Sequence, residues 1–102
     1  MENLTEEQIA VHLKNFADWS LSGNAIERKF SFKNFLRAMW FVNAVGYIAE
    51  AMNHHPDIAI HYNEVTLRIW THDTGGITER DFRLIKSIDA MQAQESRKVV
   101  GQ

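Results

Sequence analysis

The chain has 102 residues, 45% of them apolar, and a formal charge of −2 from 11 Lys and Arg against 13 Asp and Glu, a balance that suits one globular domain over residues 1–102 rather than a disordered chain. Its cations are scattered, not clustered, which excludes phosphate-backbone binding as a main activity, and its apolar runs fall far short of the roughly 20 residues that a membrane-spanning helix needs. With no cysteine there is neither a disulfide framework nor a thiolate metal site, and Met1-Glu2-Asn3 lacks the basic start of a signal peptide, so the cytoplasm is the expected compartment.

Thr5-Glu6-Glu7-Gln8 fits a capping box, in which a hydroxyl and a side-chain amide satisfy the first free backbone amides; it predicts a first helix running to about Phe16. Over residues 19–32 the apolar Trp19, Leu21, Ile26, Phe30 and Phe32 fall mostly on alternating positions around Ser22-Gly23-Asn24, the pattern of a β-hairpin. Residues 31–34 then open a central helix reaching about Met52, with Phe35, Leu36, Met39, Val42, Ala49 and Met52 recurring at spacings of three and four. Trp40, Phe41, Val45, Tyr47 and Ile48 lie outside that stripe. Such a helix is either buried on two sides, by its own sheet and by a second subunit, or carries one wide core-facing stripe. Association suits a chain this short, because a domain of about 100 residues hides only about 60 to 70% of its unfolded surface.

After Pro56, residues 58–71 are rich in β-branched and aromatic side chains, and Val65, Leu67 and Ile69 alternate with Thr66, Arg68 and Trp70. This predicts two strands with a turn within residues 61–64, or one bent strand. Thr74-Gly75-Gly76 reads as a turn, and Thr78-Glu79-Arg80-Asp81 as a second capping box with Asp as its acid. Phe82, Ile85, Ile88 and Met91 give a last helix its stripe, and the tail 95–102 is expected to fray. The order α-β-β-α-β-β-α with short links predicts an α+β fold, an antiparallel four-stranded sheet with three helices on one face.

Of the five histidines, three sit beside chain punctuation: His54 and His55 between the central helix and Pro56, and His72 between a strand and Gly75-Gly76. Pro56 disfavours helical geometry at His55 and fixes the exit of the chain, so the paired imidazoles are held. Adjacent residues at a helix end do not share a face, so the two reach different atoms of a ligand. With an ordinary pKa of about 6.5, one imidazole can donate a proton and another accept one at neutral pH. Three readings of His54, His55 and His72 stand open: an acid–base cluster, capping of helix and turn backbone, or, with Glu50 or Asp73, a zinc site, although no HExxH-type spacing is present. Glu50 lies four residues before His54, placed to orient its imidazole. Trp19 and Trp70 could stack on a flat ring or simply pack the core; His12 and His61 read as surface residues. No phosphate loop, GxSxG or cysteine nucleophile is present.

Glu50-Ala51-Met52-Asn53-His54-His55-Pro56, then Tyr62-Asn63-Glu64-Val65, then Thr71-His72-Asp73-Thr74-Gly75-Gly76-Ile77-Thr78-Glu79-Arg80-Asp81-Phe82 resembles the signature of the pterin-4a-carbinolamine dehydratases. Trp19 and Phe30-x-Phe32 match it too, and the resemblance spans about residues 4–93. It implies the same α+β fold, assembled as dimers and often tetramers. The implied activity is that of a hydro-lyase converting 4a-hydroxytetrahydropterin to quinonoid dihydropterin in tetrahydrobiopterin recycling, with no metal and no organic cofactor. It further implies His54, His55 and His72 as catalytic histidines, His54 or His72 acting at the hydroxyl and His55 in positioning, with Glu50 as a supporting carboxylate. Asn53, Trp19 and the run Trp70, Thr71, His72 and Asp73 are implied to contact the pterin, together with the paired histidines. The chain departs from the family pattern at Ile58-Ala59, where many members carry an aromatic, and at Trp70, where others carry Ser or Thr. Some animal relatives also serve as dimerisation partners of a transcription factor, so a non-catalytic coactivator module is the alternative the resemblance implies.

Overall fold

Side chains supplied by the sequence hold each helix start, as the computed structural model shows; it describes residues 2–100, with side chains through Gln94. Before α1 (Glu6–Leu13), Thr5 Oγ1 accepts from the Gln8 N–H while Gln8 Oε1 accepts from the Thr5 N–H at 2.9 Å, completing the capping box. Asn34 Oδ1 accepts from the Arg37 N–H at 2.9 Å and opens α2 (Phe35–Met52). At α3 (Glu79–Val100) the Asp81 carboxylate accepts from the Thr78 N–H at 2.8 Å, and the Thr78 hydroxyl accepts from the Arg80 N–H at 3.2 Å. α1 ends three residues before Phe16 because the following amides bond back only three residues, the tighter 3₁₀ pattern, through the Phe16 N–H to the Leu13 carbonyl. The frayed tail expected from Glu95 is not seen in the backbone to Val100, where Glu, Arg and Lys favour helix; residues 101 and 102 lie outside the described residues.

Strands β1 (Ser20–Ser22), β2 (Ala25–Ser31), β3 (Asp57–His61) and β4 (Glu64–Ile69) form one antiparallel sheet in the order β1-β2-β4-β3. Gly23, at φ +63, takes the left-handed turn conformation that other residues resist. The predicted α+β architecture is therefore present, and the stretch after Pro56 is two strands, not one bent strand. Register decides the faces: Ile26 opposite Ile69 and Phe30 opposite Val65 put one face under the helices. Glu27 opposite Arg68, bonded at 2.7 Å, faces the other way. Among the described residues no helix is long and apolar enough to cross a membrane.

α2 buries a stripe rotated from the one its spacing suggests: Ala49 is buried and Val42 and Met52 pack at the edge of the core, but Ala38, Phe41 and Val45 fill it while Phe35 and Leu36 are exposed. Trp40 and Tyr47, outside the predicted stripe, are exposed too. Phe41 lies 4.5 Å from the ring of Phe30 and 5.0 Å from that of Phe32, so the aromatic pair on the sheet chooses the phase of the helix. α3 adds Phe82, Leu84, Ile85 and Ile88. His12 is not a plain surface residue: its ring stacks on Phe82 at 4.5 Å and its Nε2 lies 3.1 Å from Glu79, linking α1 to α3. His61 is exposed.

Trp19 belongs to this scaffold. It is buried, meets Phe30 edge-on, and donates its indole N–H to Asp89 at 3.0 Å. Arg28, lying 4.2 Å over the Phe30 ring, donates to the same carboxylate at 3.1 Å. Burial raises the pKa of Asp89 above the ordinary 3.8, outweighing the lowering by Trp19 and Arg28. A carboxyl whose value rises on folding stabilises the fold when protonated; that contribution is present below the ordinary value and is lost as pH rises through the folded value. Wild type is therefore expected to gain stability relative to Asp89→Asn as pH falls from neutrality toward the ordinary 3.8. Urea midpoints of the two proteins across that range test this, and an offset independent of pH would contradict it.

Candidate active site

The site is assembled where α2 ends. Asn53 adopts the left-handed conformation (φ 52, ψ 43), which its short polar side chain tolerates. The Asn53 N–H bonds to the Glu50 carbonyl and the His54 N–H to the Ala49 carbonyl, the Schellman closure of a helix. This reversal takes His54 off the line of α2, and Pro56 then starts the chain toward β3. Glu50 consequently does not orient His54, as four-residue helical spacing suggests. His55 is the residue left beside it, and the His55 Nε2–H donates to Glu50 Oε1 at 2.8 Å with both side chains largely exposed.

His54 is turned inward, 7% exposed, with Nε2 2.5 Å from Oδ1 of Asp81, a fully buried carboxylate. The other Asp81 oxygen accepts the Thr78 N–H at 2.8 Å and the Thr71 hydroxyl at 2.9 Å. Because the Thr71 proton goes to Asp81, the Thr78 hydroxyl donates across the 2.7 Å gap to Thr71 and itself accepts the Arg80 N–H. Every donor in this run has one direction. The carboxylate therefore accepts from His54 Nε2–H and fixes the ring, as carboxylate partners of catalytic histidines do. No buried side-chain nitrogen or oxygen among the described residues lacks a partner, so His54 Nδ1, which makes no bond, is reachable from outside.

The third imidazole comes from the loop 71–76, closed by the Thr71 N–H on the Gly76 carbonyl at 2.9 Å and by the Gly75 N–H on the Thr71 carbonyl at 2.9 Å. Gly75 sits at φ +71, and a Cβ on Gly76 would come within 2.9 Å of the Asn3 side chain, so the two glycines keep the loop tight. His72 projects from it, its ring 4.4 Å from that of Trp70. Arg80 donates to the Asn53 carbonyl at 2.8 Å and ties the start of α3 to the His54 bend.

His54, His55 and His72 thus line one pocket of about 260 Å³ with Asn53, Trp70, Asp73 and Arg80. Three of the sequence-predicted site residues do not line it. Thr71 is buried, its hydroxyl committed to Asp81; Glu50 stands behind His55; and Trp19 is held in the core by Asp89 and Phe30, which corrects its expected contact with a ligand. Among the described residues no three His, Asp or Glu side chains are grouped to hold a metal ion.

Residues 2–91 match the family model described as pterin 4 alpha carbinolamine dehydratase. A relative from Sulfurisphaera tokodaii, provisionally named a pterin-4-alpha-carbinolamine dehydratase, is 48% identical over 89% of this chain and 98% of its own length. A Chloroflexus aurantiacus protein of the same provisional name is 51% identical over 87% of this chain and 96% of its own. The chain belongs to the pterin 4 alpha carbinolamine dehydratase family. The crystal structure of a transcriptional coactivator/pterin dehydratase from Brucella melitensis superposes with a TM-score of 0.82 at 33% identity, over 87% of this chain and 97% of that one.

Within this family fold, two residues of the site are not legible in the sequence, Asp81 behind His54 and Arg80 in the pocket wall. Asp81 reads there only as a helix cap, but a carboxylate at a helix start has two oxygens, and the amide it caps uses one. Arg80 carried no signal of its own: its role depends on Asn53 exposing a carbonyl by leaving the helix, a tertiary fact.

Proposed function

We propose that the chain dehydrates 4a-hydroxytetrahydropterin to quinonoid dihydropterin by imidazole acid–base catalysis, in the recycling of tetrahydrobiopterin. Family membership supports the substrate class. The observation that carries the mechanism is the convergence of three imidazoles on one pocket, one of them clamped on a buried carboxylate. In the reaction the C4a–O bond breaks with its electron pair on oxygen, the N5–H bond breaks, and C4a=N5 forms as water leaves. An acid and a base must therefore face one small ring, each contributing about 10² to 10⁴ in rate. His54 suits the base: with Nε2–H on Asp81 its neutral ring offers a bare Nδ1, and the carboxylate stabilises the cation formed when the N5 proton arrives. His72 suits the acid at the departing hydroxide, and His55, held by Glu50, suits positioning. The atoms balance without a metal or organic cofactor.

The test is the decay of enzymatically generated 4a-hydroxytetrahydropterin, followed by ultraviolet absorbance, for wild type and for His54→Ala, His55→Ala and His72→Ala. Acceleration by wild type that drops at least about tenfold in each variant is expected. A folded wild type that gives no acceleration over buffer defeats the reading. The second reading, a dimerisation or coactivator module, would then lead, favoured by the Brucella melitensis protein's double name and by exposed Leu36 and Tyr47 on α2. Self-association into dimers or tetramers belongs to the proposal as well, supported by those residues and by half-exposed Ile58 and Ile60 on the edge strand β3. Sedimentation at monomer mass under assay conditions would remove it.

A further inference from the structure

Two of the three pocket imidazoles have a carboxylate behind them, Asp81 for His54 and Glu50 for His55. His72 has none: neither of its ring nitrogens bonds to another described residue, and its side chain is exposed at the rim of the loop 71–76. An exposed imidazole without a partner samples its rotamers freely, which is poor geometry for a group that must meet one oxygen of a bound ring. The contact that stands in for the missing carboxylate is Trp70, whose ring centroid lies 4.4 Å from that of His72 at 33°. Trp70 is itself anchored, half-buried directly after β4 and packed against the core.

We propose that Trp70 is the positioning residue of His72, restraining the imidazole by a tilted ring-to-ring contact while leaving both ring nitrogens open. The chemistry differs from that of a carboxylate partner. A carboxylate occupies one nitrogen and selects a tautomer, as Asp81 does for His54; an indole face restrains the ring and occupies neither. As the imidazolium, His72 can then give the proton on its pocket-facing nitrogen to the leaving hydroxide, keep the other N–H, and regain the lost proton at the same nitrogen from solvent after product leaves. This division suits a base that must hold its cation and an acid that must be recharged every turnover. The inference rests on the dehydratase reading for its kinetic consequence, but the stack can be observed without any substrate.

The experiment compares Trp70→Leu, which keeps apolar bulk against the core, with Trp70→Phe, which keeps a stacking face; thermal melts confirm that both fold. In wild type the ring protons of His72 are expected upfield, within the indole ring current. They are expected to move downfield in Trp70→Leu and to stay partly shifted in Trp70→Phe. In kinetics, Trp70→Leu is expected to lower kcat about two- to tenfold at constant KM, the range an aromatic pair is worth, and Trp70→Phe to restore most of it. The deciding comparison is the cycle with His72→Ala: if Trp70 acts through His72, adding Trp70→Leu to His72→Ala changes the rate by less than about twofold. Full additivity, or a raised KM at constant kcat, would mean that the indole touches substrate directly and would overturn the inference. So would His72 resonances unchanged in Trp70→Leu. Absence of dehydration by wild type overturns the dehydratase reading instead, a result the resonance shifts keep separate.

Discussion

Asp81→Asn is expected to lower the dehydration rate at least about a hundredfold while costing the fold about 2 kcal/mol, because one atom exchange reverses the tautomer of His54. The amide keeps the shape of the carboxylate. Its oxygen must stay on the Thr78 N–H, a backbone donor that has no alternative, so its NH₂ faces His54 Nε2. Two donors cannot meet at 2.5 Å, and His54 can remain in place only as the other tautomer, with its proton on Nδ1. The nitrogen that was a bare acceptor toward the pocket becomes a donor, and the cation formed in catalysis loses its counter-charge. Thr71→Val is the control. It removes one hydroxyl bond from Asp81 but leaves His54 Nε2–H on the carboxylate, so its rate should stay within about tenfold of wild type. Stopped-flow rates together with urea midpoints separate the two effects. An Asp81→Asn protein active within about threefold of wild type would show that the carboxylate does not set the tautomer of His54.

How far the sequence could be read depended on whether a feature is local. Caps, hairpin turn residues and the alternation of Val65, Leu67 and Ile69 are decided within a few residues, and the order of elements followed from them. The histidine set was legible for the same reason: His54-His55-Pro56 and Thr71-His72 stand at chain punctuation, where side chains leave the regular elements. What could not be read is whatever a neighbour distant in sequence decides. α2 is apolar nearly all round, so its periodicity has no single phase; Phe30 and Phe32 chose Phe41 over Leu36. Glu50 looked like the partner of His54 by helical spacing, until the left-handed Asn53 moved His54 to Asp81 and left Glu50 to His55. Trp19 could stack on a ligand or pack the core, and nothing nearby in the chain announces Asp89, seventy residues away, as the acceptor that holds its indole in the core.

Phe41→Ala is expected to do the opposite of Asp81→Asn, destabilising the protein by about 3 to 5 kcal/mol while leaving the turnover of the folded fraction near wild type. Phe41 is 1% exposed and wedged against Phe30 and Phe32, and Trp19 closes the same cluster edge-on at 5.8 Å from Phe30. Truncation leaves a hole that rings anchored on the strand cannot fill without breaking their own register. A domain of this size has only about 5 to 15 kcal/mol in hand, so the melting temperature should fall by about 15 °C or more. Turnover should survive because Phe41 lies three helical turns from Asn53, and the bond from Arg80 to the Asn53 carbonyl ties the His54 bend to α3 independently of the aromatic cluster. Leu36→Ala, at a position 78% exposed, should cost less than about 0.5 kcal/mol in an isolated chain. Midpoints at several protein concentrations turn that comparison into a test of the two-sided helix. A Leu36→Ala loss that grows with concentration means a second copy covers the outer face of α2, since stability drawn from association scales with protomer concentration. A Phe41→Ala midpoint equal to wild type would mean that the aromatic cluster is not what seats α2 on the sheet.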